Sequence, residues 1–227
     1  MSEIEERREP PVPEDITWQT LDREARAALR SLPKAMAERV GAHLAAAGLL
    51  IDEDPEAARQ HADAARRLAG RVAVVREASA LTAYACGNYE SALAELRAFR
   101  RLSGDQRHLP LMADCERGLG RPERALEIAA SPEAAQLSPD VARELRIVVA
   151  GARSDLGQHE AALAHLRDDP ALEASGEDLS AIRLRYAYAD ALERAGRGDE
   201  ALKWFARVAS EDVHLHTDAA ERLTALE

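Results

Sequence analysis

The sequence predicts an all-α chain folded as an α-solenoid of stacked antiparallel helix hairpins. Hydrophobic residues make up 46% of the 227 residues but aromatics only 4%, so the core must be built mainly from Ala, Leu and Val. Small side chains let helix axes approach closely, and Ala, Leu, Glu and Arg are strong helix formers. No sustained alternation of apolar and polar residues marks a strand. Similar residues also return at an interval near 34, the spacing of a stacked helix-turn-helix array.

Residues 1–14 read as a disordered, mostly acidic tail in which Pro10, Pro11 and Pro13 oppose regular structure. Residues 15–33 read as an N-terminal helix, running from about Thr17 to Leu32. Trp18, Leu21, Ala25, Leu29 and Leu32 recur there at steps of three and four, on one helical face. Pro33 ends or bends it.

Residues 34–210 carry five degenerate repeats. Their markers are Ala58, Ala92, Ala125, Ala162 and Ala201, separated by 34, 33, 37 and 39 residues. A second alanine precedes each marker by twelve residues: Ala46, Ala80, Ala113, Ala150 and Ala189. Five residues before the marker stand Gly87, Gly120, Gly157 and Gly196, with Glu53 in the first repeat. The glycine column carries weight because the chain has only 12 glycines. Leu93, Leu126, Leu163 and Leu202 follow the markers, and Arg59 breaks that column. Each glycine falls where a first helix would end, and glycine tolerates the left-handed conformation that closes many helices. Ser138-Pro139-Asp140 reads as a cap followed by proline at the first helical position. The paired alanines are expected where the two helices of a hairpin cross. Residues 211–227 read as a C-terminal capping helix, with Asp218 as cap and Leu223 and Leu226 packing on the last repeat.

These residues resemble the tetratricopeptide repeat. The clearest stretches are Tyr186–Val208, YAYADALERAGRGDEALKWFARV, and Ala80–Phe99, ALTAYACGNYESALAELRAF. The whole chain is also similar to actinobacterial single-domain proteins of this repeat type, a likeness that implies a fold and no activity. The resemblance implies a right-handed superhelix. The sequence departs from the family pattern at Glu116 and Arg153, where a large apolar residue is usual. Pro132 and Asp169 fall where second helices would still be running, so both of those helices should be short and their packing irregular.

In the family the first helix of each repeat lines a concave face. By resemblance, the lining positions are His43, Ala47, Leu50 and Ile51; Glu77, Leu81, Tyr84 and Ala85; Pro110, Asp114, Arg117 and Gly118; Ile147, Gly151, Ser154 and Asp155; and Tyr186, Asp190, Glu193 and Arg194. Such a surface would be apolar towards its N-terminal end and charged towards its C-terminal end. It would suit a peptide or protein segment with an apolar anchor and a charged flank. Replacing Tyr84 and Arg117 together by Ala should then abolish partner capture. The family's grip on a C-terminal carboxylate uses Lys and Asn, and neither occurs at these positions.

The formal net charge of −11 disfavours nucleic acid and anionic membranes, both of which call for a basic face. No apolar run approaches the length of a membrane span, and the N-terminus lacks the apolar segment of a signal peptide. Cys86 and Cys115 are isolated and read as thiols in a reducing cytoplasm. His214-Leu215-His216 lacks supporting ligands at metal-binding spacing and reads as an exposed turn. His159 and His165 have no evident nucleophile partner. Trp18 and Trp204 read as packing anchors. No phosphate-binding loop, nucleophile elbow or HExxH motif is present. The expectation is a non-catalytic, cofactor-free adaptor or scaffold in the cytoplasm that binds a protein or peptide. The alternatives are a self-assembling structural subunit, with a homodimer through the terminal helices, and an RNA- or ribosome-associated factor.

Overall fold

A computed structural model describes residues 9–174, 176 and 178–226, the side chain of Leu226 excepted. Most of the expected tail, and the expected packing of Leu226, therefore lie outside the described residues. Among the described residues the chain is all-helical, with twelve α-helices and no strand. It divides into two compact units, residues 1–105 and 106–227.

In the first unit the expected N-terminal helix is broken into three pieces. A 3-10 turn at Trp18–Thr20 is followed by α1, Arg23–Ala28, and a second 3-10 turn at Leu29–Ser31. Asp22 causes the break. Its backbone is extended and its carboxylate accepts from the Ala25 amide at 2.8 Å, making it a helix cap instead of an interior residue. Leu29 is fully buried beneath this segment, a burial that favours folding by roughly 1.5–3 kcal/mol. Part of the expected disordered tail is also docked. Glu9 bonds Arg39 at 2.6 Å and approaches His43 at 3.4 Å.

Two hairpins complete this unit: α2, Lys34–Leu50, packs on α3, Pro55–Ala69, and α4, Ala73–Ala85, on α5, Tyr89–Ser103. Asp54 and Asn88 cap the second helix of each, accepting from Ala57 and Ser91. Trp18 packs on α2 where Gly41 leaves room; a Cβ at 41 would lie 2.5 Å from that of Trp18.

The second unit has three hairpins. They are α6, Leu109–Gly118, with α7, Pro122–Ala129; α8, Pro139–Asp155, with α9, His159–Arg167; and α10, Leu179–Arg194, with α11, Gly198–Glu211. The terminal helix α12, Ala219–Leu226, packs on α11. Helices α7 and α9 are short, with 8 and 9 residues against 14 in α11, as Pro132 and Asp169 foretold. Pro139 stands at the start of α8, but Ser138 makes no side-chain capping bond.

All ten paired alanines are buried, none more than 3% exposed. Each pair sits on two helices that pack together. The four column glycines all adopt positive φ, from 70° to 74°, which an L side chain adopts only at a cost. The core of the second unit runs from Ala150 through Leu163, Leu166, Ile182 and Leu192 to Phe205 and Val208. Arg185, only 1% exposed, is set into this unit. It bonds Glu211 and the carbonyls of Ala171, Ala174 and Gly176, tying the loop before α10 to α11.

Candidate functional site

A cleft of about 610 Å³ opens in the second unit, within the size range of small-molecule and peptide-anchor sites. Helix α8 contributes Ile147, Ala150, Gly151 and Ser154. Helix α10 contributes Leu179, Arg183, Tyr186, Ala187, Asp190, Ala191 and Arg194. Arg117 of α6 and the segment His216–Asp218 complete the lining. The α10 residues recur at steps of three and four, which puts them on one face of that helix.

The floor is apolar and the rim is charged. Arg117 lies against the α8 backbone because position 151 is glycine; a Cβ there would fall 2.5 Å from the guanidinium carbon. Arg117 donates to Asp155 and to Asp114, each at 2.8 Å. Burial alone would lower its pKa, but those carboxylates hold it above the ordinary arginine value. Arg194 pairs with Asp190 at 2.7 Å and Arg183 with Glu144 at 3.0 Å. Burial raises the Glu144 pKa, against the opposing charges of Arg183 and Arg143. Tyr186 donates to Asp218, and burial with that bond pushes its phenol up to about 12. Ser154, only 8% exposed, also lines this wall. Its hydroxyl is a small donor and acceptor on an otherwise apolar stretch of α8.

The terminal helix packs beside the cleft. Arg222 of α12 donates to Glu193, to Asp190 at 3.3 Å and to the Tyr186 oxygen at 3.3 Å. Its guanidinium lies 5.0 Å from the centre of the Phe205 ring. The preceding loop is held by Asp212, which is buried and accepts from the amides of His216 and Thr217 and from the Thr217 hydroxyl.

Five nominated residues, Arg117, Ser154, Tyr186, Asp190 and Arg194, line this cleft, as do Ile147 and Gly151. Asp114 and Asp155 instead hold Arg117 from behind, and Glu193 holds Arg222. Pro110 is buried and Gly118 exposed. In the first unit Leu50, Ile51, Glu77, Leu81 and Tyr84 are half-buried, and Tyr84 meets Tyr89 edge-on at 5.6 Å. His43 does not stand on an open face. It is 3% exposed, with its Nδ1 3.0 Å from that of His61 and Glu9 across its Nε2. Ala47 is buried as well. His43 is closed in by His61 of α3 on one side and by Glu9 of the N-terminal segment on the other.

The cleft also contains residues that the repeat template did not select. Leu179 and Arg183 lie upstream of Tyr186 on the same face of α10, and continuing the three-four steps backwards would have found them. His216, assigned to a bare turn, contributes to the wall. Arg222, which bonds the lining residues Tyr186 and Asp190 without itself lining the cleft, carried no sequence signal, because its partners lie 29 to 36 residues away. Both cysteines are free. Burial pushes the Cys115 thiol up to about 12, so it is not poised as a nucleophile. Among the described residues, no three His, Cys, Asp or Glu side chains converge as a metal site, and no helix is long and apolar enough to cross a membrane. In comparisons with known proteins, no family model and no curated sequence matches the chain.

Proposed function

We propose that this chain is a tetratricopeptide-like array acting in the cytoplasm as a non-catalytic adaptor, and that the second-unit cleft binds a polypeptide segment. The carrying observation is the pairing of an apolar floor with a rim of matched charges. Ile147, Ala187 and Ala191 offer apolar surface to an anchoring side chain. Ser154 offers a polar fix, and the ion pairs of Arg117, Arg183 and Arg194 bias the choice of partner more than they add affinity. The hairpin succession and the buried alanine pairs support the repeat reading.

The test begins with affinity capture from the native cell and proceeds to reconstitution of the captured polypeptide with purified chain. Ala187→Trp fills the cleft from a half-buried wall position. It should weaken the reconstituted complex at least tenfold, about 1.4 kcal/mol, with helix content unchanged. Undiminished binding by that variant would overturn the assignment of the cleft.

A further inference from the structure

Arg222 is seated as a ligand would be. Its planar fork faces two carboxylates, Asp190 and Glu193, and the phenol of Tyr186, all on α10. The ring of Phe205, on α11, lies beneath it. Several acceptors around a guanidinium, with an aromatic face below, form a recognition set that lysine does not satisfy equally. Tyr186 and Asp190 belong also to the open cleft. The seat of Arg222 is thus a continuation of the cleft, filled by the chain itself.

The filling helix is weakly built. It has 8 residues, fewer than an isolated helix needs to persist in water. Besides Arg222, it is held by buried Ala219 and by Leu223 against the core. The loop that feeds it places Leu215, 78% exposed, at φ 55°, a left-handed conformation that a bulky side chain adopts under strain. Without α12 in place, the Glu193 carboxylate, the Asp190 carboxylate paired with Arg194, and the Phe205 ring would be left uncovered at this seat.

We infer that the seat on α10 and α11 reads an arginine carried by an amphipathic helix of a partner protein, with Arg222 as the resident self-ligand which that partner displaces. The matching pattern is the one α12 itself presents: a small residue, an arginine three positions later, and an apolar residue next to it. Charge complementarity selects the arginine, because Glu193 loses its cation when Arg222 leaves, while Asp190 keeps only its pair with Arg194. This rests on the proposal that the cleft binds a polypeptide, and it specifies the chemistry of that polypeptide.

The experiment uses a fluorescent peptide with the sequence of residues 218–226, titrated into the full chain and into its Arg222→Ala variant. Arg222→Ala should bind the peptide at least tenfold more tightly than the unaltered chain, since the competing resident is gone. The same peptide with alanine in place of its arginine should lose that gain, as should the Arg222→Ala chain carrying Glu193→Gln. Circular dichroism of each variant should show undiminished helix. Equal affinity of the two chains, or equal affinity for the two peptides, overturns the inference. So does a dimer of the unaltered chain that Arg222→Ala dissolves, which would assign the seat to α12 of a second copy. A negative peptide result beside weakened partner binding by Ala187→Trp removes only the arginine reading. The reverse pattern removes only the cleft.

Discussion

Ala201→Leu tests the packing on which the hairpins depend. Ala201 is fully buried on α11, which packs on α10 where its partner Ala189 is also fully buried. If space existed, the three added carbons would contribute roughly 0.8 kcal/mol each, about 2.4 kcal/mol in favour of folding. With both alanines sealed, the larger side chain must instead force the helices apart or leave its rotamer, a net loss of about 1–3 kcal/mol. Ala206→Leu is the internal control. It lies on the same helix but is exposed, so the same chemical change should stay within about 0.5 kcal/mol. Urea unfolding followed by circular dichroism measures both, and amide exchange along α10 and α11 localises the effect. Equal stabilities for the two variants, or a gain for Ala201→Leu, would show a void at the crossing and refute close approach through small residues.

Two further perturbations separate other contributions. Arg185→Ala removes the cation from a site 1% exposed and leaves the carbonyls of Ala171, Ala174 and Gly176 and the carboxylate of Glu211 without it. Glu211 and the Ala174 carbonyl keep Arg207, so the cost is that of lost charge-assisted hydrogen bonds, about 1.5–3 kcal/mol. Exchange of the 171–176 backbone should accelerate before that of the rest of the unit, and a loss under about 1 kcal/mol would refute the staple. The His43–His61 pair predicts acid sensitivity in the first unit. Burial pushes both imidazoles below the ordinary value of 6.5, against the hydrogen bond and charge of Glu9 at His43 and with the charges of Arg39 and Arg67. The unfolded chain therefore binds more protons in that range. The contribution is intact above about pH 6.5 and is lost as pH falls towards the depressed folded values. Replacing both histidines by Leu should flatten the fall in melting temperature below about pH 6.5, and an unchanged slope would refute the assignment.

What was legible in the sequence was whatever repeats under a volume constraint. An alanine at a helix crossing cannot grow, and a glycine ending a helix at positive φ cannot gain a Cβ, so both recur in register. That is why ten alanines and four glycines marked the hairpins. The short helix α7 was legible for a related reason: proline at 132 cannot donate to a helix that continues through it, whereas α9 gives way to a turn capped by Asp169. The N-terminal segment misled because its apolar spacing is helical throughout. The Asp22 carboxylate competes locally for the Ala25 amide, and periodicity does not weigh that competition.

Half of the cleft followed from the same regularity, since Arg117, Ser154, Tyr186, Asp190 and Arg194 occupy equivalent positions in successive first helices. The other half depends on partners far apart in the chain. Glu9 crosses thirty or more residues to reach Arg39 and His43, and with His61 encloses a nominated binding position. Arg222 travels a similar distance to fill the charges at Asp190 and Glu193. Both cases follow one physical rule. A repeat determines which faces its hairpins could expose, because crossing geometry is local to each pair of helices. The terminal segments bear on which of those faces stay open, because a single long side chain from a non-repeating segment takes up charges such as Glu193. In this chain the ends carry no period, so their docking is visible only once the helices are in place, and control over the faces lies with the residues that the repeat pattern does not constrain.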